Sequence, residues 1–293
     1  MGYKFLLLIE NILMLLPHTA RKAFFTFLAF IGYKTAKKYR RIVRQNLNYA
    51  FDNSMSDTEI DKITRYSFKN LLYNFMHLME IRHLSKEEIA GRITVVNKKE
   101  VERIHKEGRA VIYVTPHYSA WELGGIGLAL HVETIAPVYK KLKNRVYEKW
   151  LLDARARFGN TNLEKTNVVK PLIRLIKQGK ASGILIDTNI NEREGVMVKF
   201  MGKPLRMTST PAYLARKFNA AIVPVHIRTD DEEKYTIVIA DEIKVDRTDN
   251  EQDDIQKATQ KQADWLSSII RKEPKFWFWL HRRWKNDKPE IYN

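Results

Sequence analysis

One short stretch carries two groups that could move a proton between them. VTPHYSAWE spans residues 114–122, and in it His117 and Glu122 stand five residues apart. Imidazole takes and returns a proton near neutral pH. A carboxylate hydrogen-bonded to it fixes the tautomer and stabilises the imidazolium. On one ideal helix five residues turn about 500°, so side chains at that spacing diverge. The pair works only if His117 sits on a turn and Glu122 in the first turn of the helix that follows. The flanks predict that arrangement. AVIYVT (110–115) reads as a buried strand, Pro116 stiffens its exit, and SAWELGGIGLALH (119–131) reads as a helix despite its glycines. The carboxyl ends of parallel strands are where α/β folds bind ligands.

Three other readings compete for these residues. Ser119 and Glu122 have capping-box spacing, which would give Glu122 a purely local task. Ser119 beside His117 could be a nucleophile, but the chain has no GxSxG elbow. The spacing is also cheap: eight histidines and 34 acidic residues among 293 predict about one such match by chance. The chain has three, the others being His83 with Glu88 and His226 with Asp231. Only His117 lies between a buried strand and an apolar helix.

The elements that must position the pair follow from periodicity. RITVV (92–96), AVIYVT (110–115), ETIAPVY (133–139), SGILID (182–187), AAIVPVHI (220–227) and YTIVIA (235–240) read as strands. Helices are expected over 56–80, 98–108, 145–159, 168–180 and 252–272, the first opened by a Ser56/Glu59 capping box and the fourth with Pro171 in its first turn. Strands alternating with helices predict an α/β fold, a mostly parallel central sheet flanked by helices. No glycine-rich nucleotide loop is present, and with no cysteine there is no disulfide, thiolate metal site or thiol nucleophile.

Residues 1–45 stand apart from the α/β domain expected over 46–293. FLLLIENILMLL (5–16) and AFFTFLAFIGY (23–33) are apolar, yet neither reaches the ~20 residues that cross a bilayer. KTAKKYRRIVR (34–44) then carries six cations and no acid. A cleaved signal peptide or a pair of core helices would also fit the apolar runs. The basic cluster favours two short helices that associate with a membrane, held by anionic lipid. The formal net charge of +17 points to anionic partners generally. The tail KFWFWLHRRWK (275–285) mixes aromatics with cations. It is expected to be core packing rather than a nucleic-acid surface, which makes His281 structural.

PHYSAWE resembles the HxxxxD/E signature of the glycerolipid and lipid A acyltransferase superfamily. PVYKKLKN (137–144), RARFGN (155–160), GILIDTNINEREGVMVKFMGKP (183–204), TSTPAYLARKFNAAIVPV (208–225) and WLHRRWK (279–285) are similar, in that order, to blocks of its lipid A branch. Lys140 and Lys141 stand where that branch often has Arg-Pro, and Thr188 where Gln is common. The resemblance implies a membrane-associated O-acyltransferase at the cytoplasmic face of a bacterial inner membrane. It implies acyl carrier protein as donor and a hydroxyl of a lipid A precursor as acceptor. His117 and Glu122 would be the catalytic dyad, while Arg155, Arg157, Asp187, Lys140 and Gly202 would bind substrate or shape the site. The donor thioester is already activated, so neither cofactor nor metal is expected, and no nucleic acid. The alternatives are a different acceptor, another glycolipid such as a phosphatidylinositol mannoside or a lysophospholipid, acyl-CoA as donor, or a non-catalytic membrane or nucleic-acid binding module.

Overall fold

The computed structural model describes residues 2–191 and 194–293. Its central sheet holds β1 (Ile93–Val96), β2 (Val111–Thr115), β3 (Ile135–Tyr139), β4 (Leu163–Glu164), β5 (Ala181–Leu185), β8 (Ala221–Arg228) and β9 (Tyr235–Ile239) in the order β1-β9-β8-β2-β5-β3-β4. Neighbours run parallel except β8 and β9. The middle strands are apolar without alternation because both faces are covered. Ile112, Val114 and Ile184 point into one core, while Val111, Tyr113 and Val223 point into a second core on the other face.

Helix α4 (Asp57–His83) opens with the expected capping box and contributes to both cores. α7 (Trp121–His131) and α8 (Arg145–Ala156) cover one face; α9 (Val169–Lys177), α10 (Thr210–Phe218) and α11 (Glu251–Lys272) cover the other. α7 tolerates its glycines, each costing about 1 kcal/mol against alanine, because it lies very close to the sheet. A Cβ on Gly127 would stand 2.5 Å from Ile237 Cδ1. A hairpin of β6 (Gly195–Phe200) and β7 (Lys203–Thr208), and helix α10, were not expected. The hairpin's signal is present: Val198 and Phe200 are buried between exposed Met197 and Lys199.

The N-terminal helices α1 (Tyr3–Met14) and α2 (His18–Thr35) share the core of the second face through Phe25, Leu6 and Leu7. Glu10, buried on α1, accepts hydrogen bonds from Arg82 (2.9 Å) and Trp150 Nε1 (2.7 Å) and contacts His83 Nε2 (2.9 Å). Buried Arg21 on α2 donates to Glu80 Oε1 from Nε (3.3 Å) and Nη2 (3.0 Å). The polar residue that interrupts the first apolar run is thus a deliberate internal anchor. Outward, α1 exposes Phe5, Leu8, Ile12, Leu15 and Leu16, and α2 exposes Phe24, Phe27, Phe30 and Ile31. Among the described residues no helix is long and apolar enough to cross a membrane.

His226, a spacing match for Asp231, belongs to the fold. Its ring lies 5.6 Å from that of Tyr118 and 6.1 Å from that of Trp265, and its Nδ1 is buried with no hydrogen-bond partner among the described residues. Burial, helped by Arg228 and Lys272, pushes its pKa down to about 4. Between that value and ~6.5 the unfolded chain binds the proton and the folded chain does not. Stability should therefore fall as pH drops through this window, with His226 contributing on the order of 2–3 kcal/mol. Urea unfolding of the wild type and His226→Leu at pH 7 and pH 4.5 checks this: the substitution should flatten the slope. An unchanged slope would show that His226 protonates as readily in the folded chain.

Candidate active site

The register of two strands builds the site. Thr115 of β2 pairs with Leu185 of β5, and Ile186 N–H still reaches the Thr115 carbonyl at 3.1 Å. Two residues beyond each strand, His117 and Asp187 are therefore neighbours. Asp187 Oδ1 lies 2.9 Å from His117 Nδ1, and Oδ2 accepts the His117 backbone N–H (2.8 Å) and Trp277 Nε1–H (3.0 Å). Asp187 is fully buried. Burial opposes its charge, but the His117 side chain and N–H, with His281 nearby, outweigh it and hold the carboxyl well below its usual range. An ionised Asp187 requires Nδ1 to carry the proton, which leaves Nε2 with a free lone pair. Nε2 has no hydrogen-bond partner among the described residues, and the ring borders an open cleft.

The carboxylate on the imidazole is thus Asp187, not Glu122. The chain reversal does not bring Glu122 into hydrogen bonding with His117. Glu122 is clamped bidentately by Arg155, Nε to Oε2 at 2.9 Å and Nη2 to Oε1 at 2.7 Å, and also accepts Trp121 Nε1–H at 3.0 Å. Burial opposes its charge; Arg155 first, then Trp121 and His117, keep its pKa lowered. Nor does it cap its own helix. Asn74 of α4 does that, accepting the Glu122 N–H (3.2 Å) and donating to the Ser119 carbonyl (2.9 Å). Ser119 is held at φ 49° with its N–H on the Phe276 carbonyl (2.8 Å), and among the described residues its buried Oγ has no hydrogen-bond partner to activate it.

The aromatic tail closes over this loop. Phe278 N–H donates to the His117 carbonyl (3.0 Å), and the Phe278 and Trp121 rings stand 5.9 and 5.4 Å from the imidazole. Trp277, Trp279, Trp284 and Arg283 are buried, so the tail is core. His281 is half-buried, with its Nε2 enclosed, and its pKa is pushed down to about 4, first by desolvation.

Two cavities meet here. The cleft, ≈ 310 Å³, is bordered by His117, Lys140, Arg155, Lys165, Thr188 and Asn189. The second, ≈ 80 Å³, is narrow and apolar; it runs between α7 and the sheet past Trp121, Glu122, Gly124, Gly125, Gly183 and Ile227. Arg155, Val138 and Leu185 border both. Of the expected substrate residues, only Lys140 and Arg155 border a cavity, and Arg155 is already occupied by Glu122. Asp187 is sealed behind His117, where it can touch no substrate. Arg157 donates to the Ile81 carbonyl and lies over Phe158, and it lines neither cavity. Gly202 (φ 80°) and Met201 (φ 53°) form the turn of the β6–β7 hairpin, where two left-handed residues match the twist of the strands. Asn74, Trp277, Phe278 and Lys165 were not singled out from sequence. Asn74 carried no visible signal, while Trp277 and Phe278 lay in a tail read only as packing.

A sequence profile described as bacterial lipid A biosynthesis acyltransferase matches residues 3–286. The chain is 23% identical over 269 residues to a lipid A biosynthesis acyltransferase of Haemophilus influenzae, covering 90% of this chain and 81% of that protein. It is 22% identical over 249 residues to a phosphatidylinositol mannoside acyltransferase of Mycolicibacterium smegmatis, covering 84% and 79%. To a lipid A biosynthesis myristoyltransferase of Escherichia coli it is 21% identical over 192 residues, covering 66% and 59%.

The two carboxylates should respond differently to removal of charge. In Asp187→Asn, nitrogen-15 spectra should show His117 losing its Nδ1–H tautomer and the Trp277 indole N–H signal moving. Glu122→Gln should leave both unchanged but cost about 3–5 kcal/mol in denaturant unfolding, since it leaves Arg155 buried without its counter-charge. A His117 tautomer that follows Glu122 instead would reverse the assignment.

Proposed function

The chain belongs to the bacterial lipid A biosynthesis acyltransferase family, and from that premise we propose that it moves a fatty acyl chain from an acyl carrier protein thioester to a hydroxyl of a lipid A precursor. His117 is the general base. Its Nε2 takes the hydroxyl proton as the oxygen attacks the thioester carbonyl. The tetrahedral intermediate then collapses, the C–S bond breaks, and the imidazolium returns the proton to the leaving thiolate. The observation that carries this reading is the division of labour on the ring: Nδ1 is committed to buried Asp187, and Nε2 faces the cleft. Asp187 is a positioning residue that also offsets the imidazolium charge. Glu122 acts at longer range, holding Arg155 where cleft and channel meet.

The cavities suit the two substrates. The narrow apolar channel under α7 would take the acyl chain, and the cleft the sugar hydroxyl. Exposed Lys140 and Lys165 at the cleft suit an acidic carrier or a phosphorylated acceptor. The outward Phe and Leu side chains of α1 and α2 would rest in one leaflet, on the cytoplasmic face of the inner membrane. The likeness to a phosphatidylinositol mannoside acyltransferase supports a second acceptor, a glycosylated phospholipid, with the same chemistry.

The test is transfer of labelled acyl chain from loaded carrier protein to each purified acceptor. The lipid A precursor should be the better acceptor. His117→Ala and Asp187→Asn should each lower transfer by about 10²–10⁴-fold while circular dichroism stays native. A folded His117→Ala protein with near-normal transfer would remove the base, and exclusive use of the glycosylated phospholipid would replace the acceptor.

A further inference from the structure

A second concave feature lies away from the catalytic cleft, between α2 and α4. Thr26, Ala29, Phe30 and Tyr33 form one wall and Lys62, Arg65, Tyr66 and Lys69 the other, around ≈ 350 Å³. Each set follows the i, i+3, i+4, i+7 rhythm of one helix face, so the groove is a straight seam between two helices. One wall is aromatic and the other cationic. The aromatic wall continues outward: Phe30 is half exposed, and Phe24, Phe27 and Ile31 stand exposed beside it on α2.

The carboxylates near the seam are already engaged. Asp61 accepts from Tyr33 Oη and from Arg65 Nε (2.7 Å), Glu232 pairs with Lys69 (2.7 Å), and Glu59 closes the Ser56 capping box. Lys62 makes no salt bridge within 4 Å among the described residues and feels Glu59 only at longer range. The Tyr33 ring is flanked by two guanidiniums, Arg65 at 4.5 Å and Arg40 at 5.2 Å, and Lys34 lies 5.4 Å from the Phe30 ring. Five cations thus surround a seam with three engaged carboxylates, Asp61, Glu232 and Glu59, next to an apolar surface. A ligand that satisfies all of this has an anionic head and a hydrocarbon body.

We propose that the α2–α4 groove is a binding site for an anionic phospholipid, with its phosphate on Lys62 and Arg65 and its acyl chains along Phe24, Phe27 and Ile31. This rests on the reading that α1 and α2 lie on a leaflet, and it adds a specific headgroup site to that general contact. Charge complementarity and the continuous apolar border argue for a lipid rather than a free phosphate or an acidic protein, which would need only the cations. The groove is also placed to orient the catalyst. The Tyr66 ring is 5.5 Å from Phe276, whose carbonyl holds the Ser119 N–H beside His117. A lipid seated here fixes the angle at which the active-site loop meets the leaflet.

Vesicle sedimentation of the full chain tests the proposal, with phosphatidylcholine vesicles against vesicles also containing phosphatidylglycerol. The wild type should prefer the anionic vesicles. Lys62→Gln/Arg65→Gln should lose about fivefold per charge, so about 25-fold for the pair, while retaining its binding to phosphatidylcholine. Inorganic phosphate at matched ionic strength should not compete. The charge-matched variant Lys37→Gln/Lys38→Gln, on the neighbouring basic run, should lose markedly less. Equal losses in the two variants would show a diffuse field and overturn the site while leaving the membrane reading intact. Competition by phosphate would overturn it in favour of a simple anion site. Unchanged sedimentation, with only the KM for carrier protein raised, would assign the groove to the acidic carrier instead. Failure of the wild type to bind any vesicle would remove the membrane reading and the site together.

Discussion

A carboxylate without access to solvent must be given hydrogen bonds and a counter-charge, or it gives up its charge. At Asp187 both come from the site itself. Two backbone-linked demands meet on one side chain: it accepts the His117 N–H, so the loop after β2 cannot move, and it accepts Nδ1–H, so the ring cannot flip. Trp277 supplies the third bond and so makes the C-terminal tail part of the same constraint. Once the tail is fixed there, its backbone clamps residues 117 and 119 from the other side. The His117 imidazole is oriented by strands, loop and tail together, through a single buried anion.

The same rule governs the rest of the interior. Glu122 is buried because bidentate pairing to Arg155 makes burial tolerable, Glu10 because Arg82 and Trp150 meet it, and Glu80 because Arg21 and Arg92 do. Pairs of this kind contribute little net stability, but breaking one is costly. That asymmetry gives register. α1 and α2 could slide on an apolar contact alone; with Glu10 and Arg21 engaged they cannot. Truncating residues 1–33 would therefore strip partners from Glu80 and Arg82 as well as remove apolar surface. Substitution of the exposed Phe27 or Leu8 is the cleaner way to probe the outward face.

Much of the frame was legible in the sequence, since all six strands expected from apolar runs occur and the Ser56 capping box forms. Local periodicity reports burial, and the middle strands β2, β5 and β8 are buried on both faces. Partnership was harder to read. His117 and Glu122 are close in sequence, which drew attention to a local pair, whereas the hydrogen bond goes to a residue 70 positions away. The clue was topological: two adjacent parallel strands ending at residues 115 and 185 place 117 beside 187. Reading it required the strand order, which periodicity does not contain. Arg155 and Arg157 look alike in RARFGN, but they differ by about 200° around a helix. One therefore meets Glu122 and the other turns to the Ile81 carbonyl. Gly202 lies in a hairpin turn, and a glycine marks a backbone need without saying whether a ligand or a turn creates it.

Charge sorting links the interior to the surface. Among the described residues six carboxylates are buried, at Glu10, Glu80, Glu122, Glu148, Asp187 and Asp254, against two guanidiniums at Arg21 and Arg283. The acids are drawn inward, where each spends its charge on a nearby cation or N–H donor. The outer shell is consequently richer in cations than the formal +17 conveys. An excess of this kind raises the local concentration of any anion without choosing among them. Choice has to come from shape, and shape differs between the two concave features. The cleft sets lysines beside an imidazole and a narrow apolar channel, the shape that the proposed anionic acyl carrier would need. The α2–α4 seam sets them beside exposed aromatic rings and no imidazole, the shape that the proposed lipid would need.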